Sequence, residues 1–401
     1  MMKKSVYISA MMLAIGLSVF QASAQIKAGF DIVEARDLLA ICNSFTFLEL
    51  YGSDESILPA GFKKVYTSRT MGMDNKFQIY EHGDVAVINF RGSTEKTVSW
   101  IENIYSAMIP AQGTIMLEGY AFNYAFAKDT AAAVHSGYAL ALADMSETII
   151  HQIKDYNDRG IYQIMITGHS QGGALAQLLR SYLENLPNGV LSENNTYKTY
   201  AFAHPMIGNQ EFASEYEATI ASTGTSFSII NPADPIPRMP LAYEEGGIIS
   251  EKDIASLLFD RDNFHTSEVA IGMAARLFES KLNRLVQFTG NNINGNLSSV
   301  MGDVSMPDYV DGINFAIMGE RIEMRPFEYP LILSDSTIFQ TDSLMAINPM
   351  GADGHFINKE LYAGPPSFWH HKPYNYYSAF LKMYFPMLYA DLRWKHLPEN
   401  L

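Results

Sequence analysis

Cysteine is almost absent from the sequence. Cys42 is the single cysteine among 401 residues, so no disulfide bond can form within the chain. It lies in an apolar segment between Leu38 and Phe47, which predicts a buried structural thiol rather than a nucleophile. Stability must therefore come from a hydrophobic core, and 48% hydrophobic residues supply ample material for one.

Positive charge is also scarce. Lysine and arginine number 28 against 43 aspartates and glutamates, which leaves a formal net charge of −15. Such a surface repels phosphate backbones and anionic membranes and favours solubility. Nucleic acid is therefore not expected as a partner, and no stable protein partner is predicted.

Long hydrophobic runs occur only near the start of the chain. Two lysines precede an apolar run from Val6 to Phe20, and small residues follow it. That order predicts a secretory signal peptide over residues 1–24 and a secreted or periplasmic mature chain over 25–401. The run is short for a membrane-spanning helix, which disfavours an N-terminal anchor as the alternative.

Recognisable metal and nucleotide motifs are missing. The chain has no H-E-x-x-H segment, no spaced cluster of cysteines and histidines, and no phosphate-binding P-loop. The sequence therefore predicts neither a metal ion nor another cofactor.

One stretch does carry a catalytic pattern. Apolar and β-branched residues from Tyr162 to Thr167 run directly into Gly168-His-Ser-Gln-Gly172, and a helical apolar pattern follows through Tyr182. A G-x-S-x-G segment between a strand and a helix forms a nucleophile elbow, because small flanking residues let the chain turn tightly and expose the serine. Ser170 is the predicted nucleophile, and an idle serine in an ordinary strand-to-helix turn is the alternative.

Strands and helices alternate along the middle of the chain. Strand-like segments precede Ser93, Ser170, His204 and Asp234, and helical patterns separate them. This alternation predicts an α/β fold with a mostly parallel sheet and helices on both faces. Functional groups should then collect at the C-terminal ends of the strands, where these four residues fall.

Three other segments allow less definite predictions. Apolar residues repeat at helical spacing from Trp100 to Ile109, either as core or as a mobile cover over an apolar site. A loop is expected around Gly113 and Gly119, and His135 is interpreted as structural. Residues 241–365 hold short mixed segments and are interpreted as an insertion in the C-terminal half.

Several segments occur together in an order that is typical of one known family. They are Val87–Ser93 followed by Trp100–Asn103, Val134–Tyr138, Ile166–Ala176, Tyr200–Asn209 and Ile230–Arg238. Together they resemble the class 3 lipases, a group of α/β-hydrolases that includes fungal triacylglycerol lipases. The resemblance implies the α/β-hydrolase fold and hydrolysis of carboxylic esters, above all lipid (acylglycerol) esters, through an acyl-enzyme.

The resemblance also implies roles for individual residues. Ser170 would be the nucleophile, and Asp234, within an Asp-Pro-Ile-Pro segment, would be the acid that orients a histidine. The backbone N–H groups of Ser93 and Gln171 would form the oxyanion hole, with the Ser93 hydroxyl assisting. A turn-forming aspartate between prolines remains an alternative for Asp234.

The histidine is the point at which the sequence departs from the family. In the family it follows the acid within a few dozen residues, ahead of a helix that carries a tyrosine. Here that context occurs only at His370-His371, beyond the long insertion, with Tyr376 behind it. His371 is the predicted base, and His370, His355 and His265 are alternatives because geometry rather than sequence position defines a triad.

These residues predict a serine hydrolase whose partner is an ester or lipid substrate, with transient contact to a lipid interface. An esterase for short or aromatic esters is the alternative among enzymes, because the same groups serve any acyl chain and only the pocket decides. A binding protein that keeps the fold without catalysis is the alternative of another class. The displaced histidine and the insertion motivate it.

Overall fold

The computed structural model describes residues 26–94, 96, 99, 102–103, 106–239, 301–311, 314–326, 328–334, 348–352, 354–364 and 368–397. A seven-stranded sheet lies at the centre of this part, in the order β1-β2-β3-β8-β9-β10-β11. Its strands are β1 (Lys63–Thr67), β2 (Phe77–His82), β3 (Val85–Phe90), β8 (Gln163–His169), β9 (Thr196–Phe202), β10 (Ser226–Ile230) and β11 (Glu320–Glu323). Neighbours from β3 to β11 are parallel, whereas β2 is antiparallel to both β1 and β3. The predicted mostly parallel sheet is confirmed.

Helices cover both faces of this sheet. They are α1 (Ile32–Cys42), α2 (Ser44–Tyr51), α3 (Ser136–Asp158), α4 (Gln171–Glu184), α5 (Gln210–Thr219), α6 (Pro373–Tyr384) and α7 (Pro386–Asp391). Ile88 of β3 packs in one core with α3 and α4, whereas the adjacent Val87 belongs to a second core with α1 and α6. Because successive side chains of a strand point to opposite faces, the two cores lie on opposite sides of the sheet. The chain has the α/β-hydrolase architecture that was expected.

The segment between Met108 and His135 differs from the prediction. Met108 and Ile109 lie in the strand β4 (Met108–Pro110), which pairs with β7 (Ala133–His135), and not in a helix. Of the same predicted stripe, Trp100, Ile101, Ile104 and Tyr105 lie outside the described residues.

The expected loop around Gly113 and Gly119 is a β-hairpin. Its strands are β5 (Gln112–Leu117) and β6 (Tyr120–Ala125), and Gly119 has a φ of +74° at the turn between them. Ile115 is fully buried while its neighbour Met116 is 46% exposed, which is the alternation of a strand with one covered face. The two glycines favour a loop, but the alternation of buried and exposed side chains has the period of two that is typical of a strand.

Part of the predicted insertion belongs to the sheet. β11 extends the sheet beyond β10, with Ile229 opposite Ile322. Its sequence, Glu-Arg-Ile-Glu, has little apolar character because an edge strand of four residues is only partly covered. Residues 241–300 and the predicted signal peptide over 1–24 lie outside the described residues. Within the described part, every helix is too short or too polar to cross a membrane.

Candidate active site

Ser170 occupies the sharp turn between β8 and α4. Its φ of +59° is a conformation that residues other than glycine rarely adopt. The turn closes only because its neighbours lack side chains: a Cβ on Gly168 would lie 2.2 Å from the Gly172 carbonyl oxygen, and one on Gly172 would lie 2.5 Å from that of Phe90. The elbow therefore stores local strain and lifts the serine hydroxyl above the sheet edge.

Three predicted side chains meet at this turn. His371 Nε2 lies 2.8 Å from Ser170 Oγ, and His371 Nδ1 lies 2.8 Å from Asp234 Oδ2. Because a carboxylate only accepts, Nδ1 carries the proton toward Asp234 and Nε2 is left as the acceptor for the serine hydroxyl. The arrangement is a continuous hydrogen-bonded chain from hydroxyl to imidazole to carboxylate.

Asp234 is fixed by two further hydrogen bonds. Its Oδ1 accepts from the backbone N–H of Ile236 at 3.0 Å, and its Oδ2 accepts from the hydroxyl of Tyr376 at 2.7 Å. Burial, followed by the nearby Asp234, holds the pKa of Tyr376 well above its usual range. The phenol therefore stays protonated and remains a donor to the carboxylate.

The same tyrosine explains how a distant histidine reaches the elbow. Tyr376 lies on α6, and its oxygen also accepts from the buried backbone N–H of Asn231 at 2.9 Å. α6 begins at Pro373, and the turn before it is closed by a bond from the His371 N–H to the Phe368 carbonyl. Docking of α6 on the Asp234 loop therefore sets the position of His371. The sequence predicts a helix that carries Tyr376 behind the histidine, but no local pattern indicates the contact of Tyr376 with Asp234.

The alternative histidines have other surroundings. His370 packs edge-on against Trp369, with ring centroids 4.9 Å apart, and the ring of His355 lies 6.1 Å from that of Tyr362. His265 lies outside the described residues. Within the described part, His371 is the histidine that bonds to Ser170.

Two further histidines have structural roles. His135 caps α3 and bonds through Nε2 to the carbonyl of Asn103 at 3.2 Å, as its structural interpretation requires. His204 follows a strand as predicted, but its Nε2 bonds to Ser228 Oγ at 2.8 Å and not to Ser170. Burial lowers the pKa of His135 to about 3 and that of His204 to about 4.

The histidine of the elbow itself, His169, lies against the reacting pair. Its ring centroid is 4.9 Å from that of His371. Burial, and then the proximity of His371, hold the pKa of His169 well below its usual range. His169 therefore stays neutral and adds no positive charge beside the His371 imidazole.

Ser93 and Gln171, the predicted oxyanion residues, are joined by their side chains. Ser93 Oγ donates to Gln171 Oε1 at 2.8 Å and accepts from Asn103 Nδ2 at 2.9 Å. In this arrangement the Ser93 hydroxyl donates its proton to Gln171. The backbone N–H groups of the two residues remain the candidate donors, one after β3 and one at the first residue of α4.

A cavity of about 140 Å³ adjoins Ser170 and His371. Apolar side chains form much of its wall, among them Phe45 of α2, Ile236 and Met239. Two charged side chains, Arg91 and Glu49, also line it. The site can therefore take a small apolar group beside the serine. In the described part of the chain, histidine, cysteine and carboxylate side chains form no cluster of three or more that could hold a metal ion.

Residues 87–244 match the family model described as lipase (class 3). This match covers less than half of the chain and shows a similarity of that range to the class 3 lipases. Among its lipase relatives is secreted mono- and diacylglycerol lipase 1 of Fusarium solani, 25% identical over 141 residues that cover 33% of this chain and 39% of that protein. A secreted mono- and diacylglycerol lipase of Malassezia restricta is 25% identical over 181 residues, 44% of this chain and 49% of that protein. The chain thus spans less than half the length of these two relatives.

A solved triacylglycerol lipase, whose description reports a catalytic centre formed by a serine protease triad, is also similar to this chain. It is 22% identical, covers 54% of this chain and 77% of its own length, and has a TM-score of 0.40. Lipase II of Rhizopus niveus is 21% identical, with a TM-score of 0.36 and coverage of 52% of this chain and 75% of its own.

The range similar to the class 3 lipases and the site do not coincide. Residues 87–244 include Ser93, Ser170 and Asp234, whereas His371 lies far beyond the end of the match. The histidine and the helix that docks it therefore come from a part of the chain that the family model does not reach.

Proposed function

We propose that the protein is a serine hydrolase that cleaves carboxylic esters through an acyl-enzyme on Ser170. The observation that carries this proposal is the hydrogen-bonded chain from Ser170 through His371 to Asp234, with 2.8 Å at each link. That geometry is the arrangement by which a serine hydroxyl becomes nucleophilic near neutral pH.

Acylation uses each group once. Ser170 Oγ attacks the ester carbonyl carbon while His371 Nε2 takes the hydroxyl proton, and Asp234 stabilises the imidazolium that results. The carbonyl oxygen becomes an oxyanion, which accepts hydrogen bonds from the backbone N–H groups of Ser93 and Gln171, each worth on the order of 3 kcal/mol of barrier. Collapse of the intermediate breaks the bond to the alcohol oxygen, and His371 returns the proton to that oxygen.

Deacylation repeats these steps with water. His371 takes a proton from a water molecule, the hydroxide oxygen attacks the acyl carbon, and the carboxylic acid leaves as Ser170 recovers its proton. No step of this sequence requires a metal ion or another cofactor.

Lipid esters of the acylglycerol type are the proposed substrates. Two relatives are named as mono- and diacylglycerol lipases, and the cavity beside Ser170 is walled largely by apolar side chains. Contact with a lipid interface would then be transient. The small cavity of about 140 Å³ favours a second candidate, an esterase for short acyl chains. The names of the relatives also support a secreted protein, and a periplasmic one is the alternative.

Hydrolysis of a series of nitrophenyl esters from acetate to palmitate, together with emulsified mono-, di- and triacylglycerols, tests this proposal. We expect activity that Ser170→Ala abolishes and that extends to long chains and acylglycerols. Activity confined to soluble short esters would select the esterase. If the protein hydrolyses none of these and a fluorophosphonate probe fails to label Ser170, the hydrolase proposal is wrong and a binding protein on this fold is favoured.

A further inference from the structure

A buried carboxylate lies behind the oxyanion residues. Glu102 is fully buried, and its Oε2 accepts from the side-chain amide of Asn75 at 2.7 Å. Its Oε1 accepts from Gln171 Nε2. The hydrolytic steps proposed above do not use this group, and a buried carboxylate is costly unless its hydrogen bonds are satisfied.

Glu102 fixes which way the Gln171 amide points. When it is ionised, the carboxylate only accepts hydrogen bonds, so the NH₂ end of Gln171 faces it in that state. The same NH₂ group donates to Asn75 Oδ1 at 3.1 Å. The oxygen end of Gln171 therefore faces the other way, where it accepts from Ser93 Oγ at 2.8 Å.

Ser93 is thus held at the end of a directed chain. Its hydroxyl donates to Gln171 Oε1 and accepts from Asn103 Nδ2. Asn103 is in turn fixed by the hydroxyl of Tyr138, which donates to Asn103 Oδ1 at 3.0 Å. With both its donor and an acceptor position engaged, Ser93 keeps one side-chain orientation, which restrains the peptide N–H of the same residue.

We propose that Glu102 is a positioning residue of the oxyanion hole, which acts through the Gln171 amide to hold Ser93. This inference rests on the proposed hydrolase function. Loss of the carboxylate would let the amide reverse, so that its NH₂ group would face Ser93 Oγ and the hydroxyl would turn. The N–H donor of Ser93 would then be less well ordered, which lowers kcat and leaves ground-state substrate binding almost unchanged.

The ionisation of Glu102 supplies a readout. Burial raises the pKa of this carboxyl to about 8, against the opposing effect of the Asn75 and Gln171 amides. Two titratable groups at the start of α3 keep their charge state between pH 6 and pH 9. Burial lowers the pKa of His135 to about 3, and burial, followed by the nearby Glu102, holds that of Tyr138 well above its usual range. The carboxyl is therefore mostly ionised at pH 9 and mostly protonated at pH 6.

The test compares Glu102→Gln with the wild type on nitrophenyl butyrate, at pH 9 and at pH 6. We expect kcat at pH 9 to fall on the order of 10-fold with KM almost unchanged, and the two proteins to converge at pH 6. In a Ser93→Ala background the same change should have no further effect on kcat, because the Gln171 amide then has no Ser93 hydroxyl to hold. Gln171→Met keeps the backbone N–H and should reproduce the loss if Glu102→Gln fails to fold.

A matched control lies on the same helix. Gln177 is also fully buried on α4, but its Nε2 donates to Ser228 Oγ at 2.7 Å, so Gln177→Met should leave kcat unchanged. An active wild type whose Glu102→Gln variant keeps full kcat at pH 9, or loses as much in the Ser93→Ala background, would overturn this inference alone. An inactive wild type would overturn the hydrolase proposal and this inference with it.

Discussion

The Tyr376 hydroxyl donates a 2.7 Å hydrogen bond to Asp234 Oδ2, the same carboxylate oxygen that accepts from His371 Nδ1. The phenol thereby links α6, which follows His371 directly, to the loop after β10 that carries Asp234. One hydrogen bond therefore connects the docking of a helix with the alignment of the reacting groups.

Tyr376→Phe tests this link. The variant removes the donor to Asp234 and leaves the buried N–H of Asn231 without its partner, so we expect a loss of about 1–3 kcal/mol in the free energy of unfolding. We also expect kcat to fall, because His371 and Asp234 are less firmly aligned. Urea unfolding and ester hydrolysis measure the two effects. Tyr377→Phe, at the next position of the helix, is the control, and equal losses in both variants would contradict the link.

The pH dependence of stability should carry the signature of Glu102. Its folded pKa of about 8 lies above the ordinary 4.5, so the folded state holds a proton that the unfolded state releases between these values. Stability therefore falls as pH rises through this window, by about 1.4 kcal/mol per pH unit at most. The buried His135 and His204 have lowered pKa values and act in the opposite sense, only below 6.5.

Urea unfolding at several pH values from 6.5 to 8 isolates the Glu102 effect. The wild type should lose stability across this range, and Glu102→Gln should lose less. Parallel curves for the two proteins would show that Glu102 does not hold its proton in the folded state.

An ion pair between a buried lysine and a partly buried glutamate joins α1 to the sheet. Lys198 on β9 is 1% exposed, and its Nζ lies 2.6 Å from Glu34 Oε2, which also accepts from Tyr200 at 2.7 Å. Glu34→Ala leaves a buried ammonium uncompensated, at a cost of about 3–5 kcal/mol. Lys198→Met replaces the ammonium with an apolar side chain of similar volume and should cost about 0–2 kcal/mol.

The order of these two costs is the prediction, and urea unfolding of both variants measures it. If Lys198→Met is less stable than Glu34→Ala, the prediction is wrong, and the ammonium of Lys198 stabilises the fold through contacts other than its ion pair with Glu34.

The local features of this protein were predictable from its sequence, whereas several of its non-local contacts were not. The strand, turn and helix around Ser170 follow from a period of two, small residues and a period of 3.6, all within one segment. The edge strand β11 has no such periodicity, because it is short and charged and its side chains are at most partly buried. The contacts of Glu102 with Gln171 and of Tyr376 with Asp234 join residues 69 and 142 positions apart, so no periodicity could reveal them.

The site residues were also predicted in two different ways. Ser170 was recognisable from its own motif, whereas the choice of His371 over His370 rested on family resemblance, since adjacent histidines have the same local context. Only the docking of α6 separates them, by turning the side chain of His371 toward Ser170 and packing that of His370 against Trp369.

The central claim is that an imidazole from beyond the family-matched range activates Ser170. Ester hydrolysis by His371→Ala beside His370→Ala, with thermal unfolding to establish that both variants are folded, measures this most directly. We predict that kcat falls by ~10⁴-fold or more in His371→Ala, while His370→Ala retains most of its activity. A folded His371→Ala variant that hydrolyses esters at the wild-type rate would contradict the account.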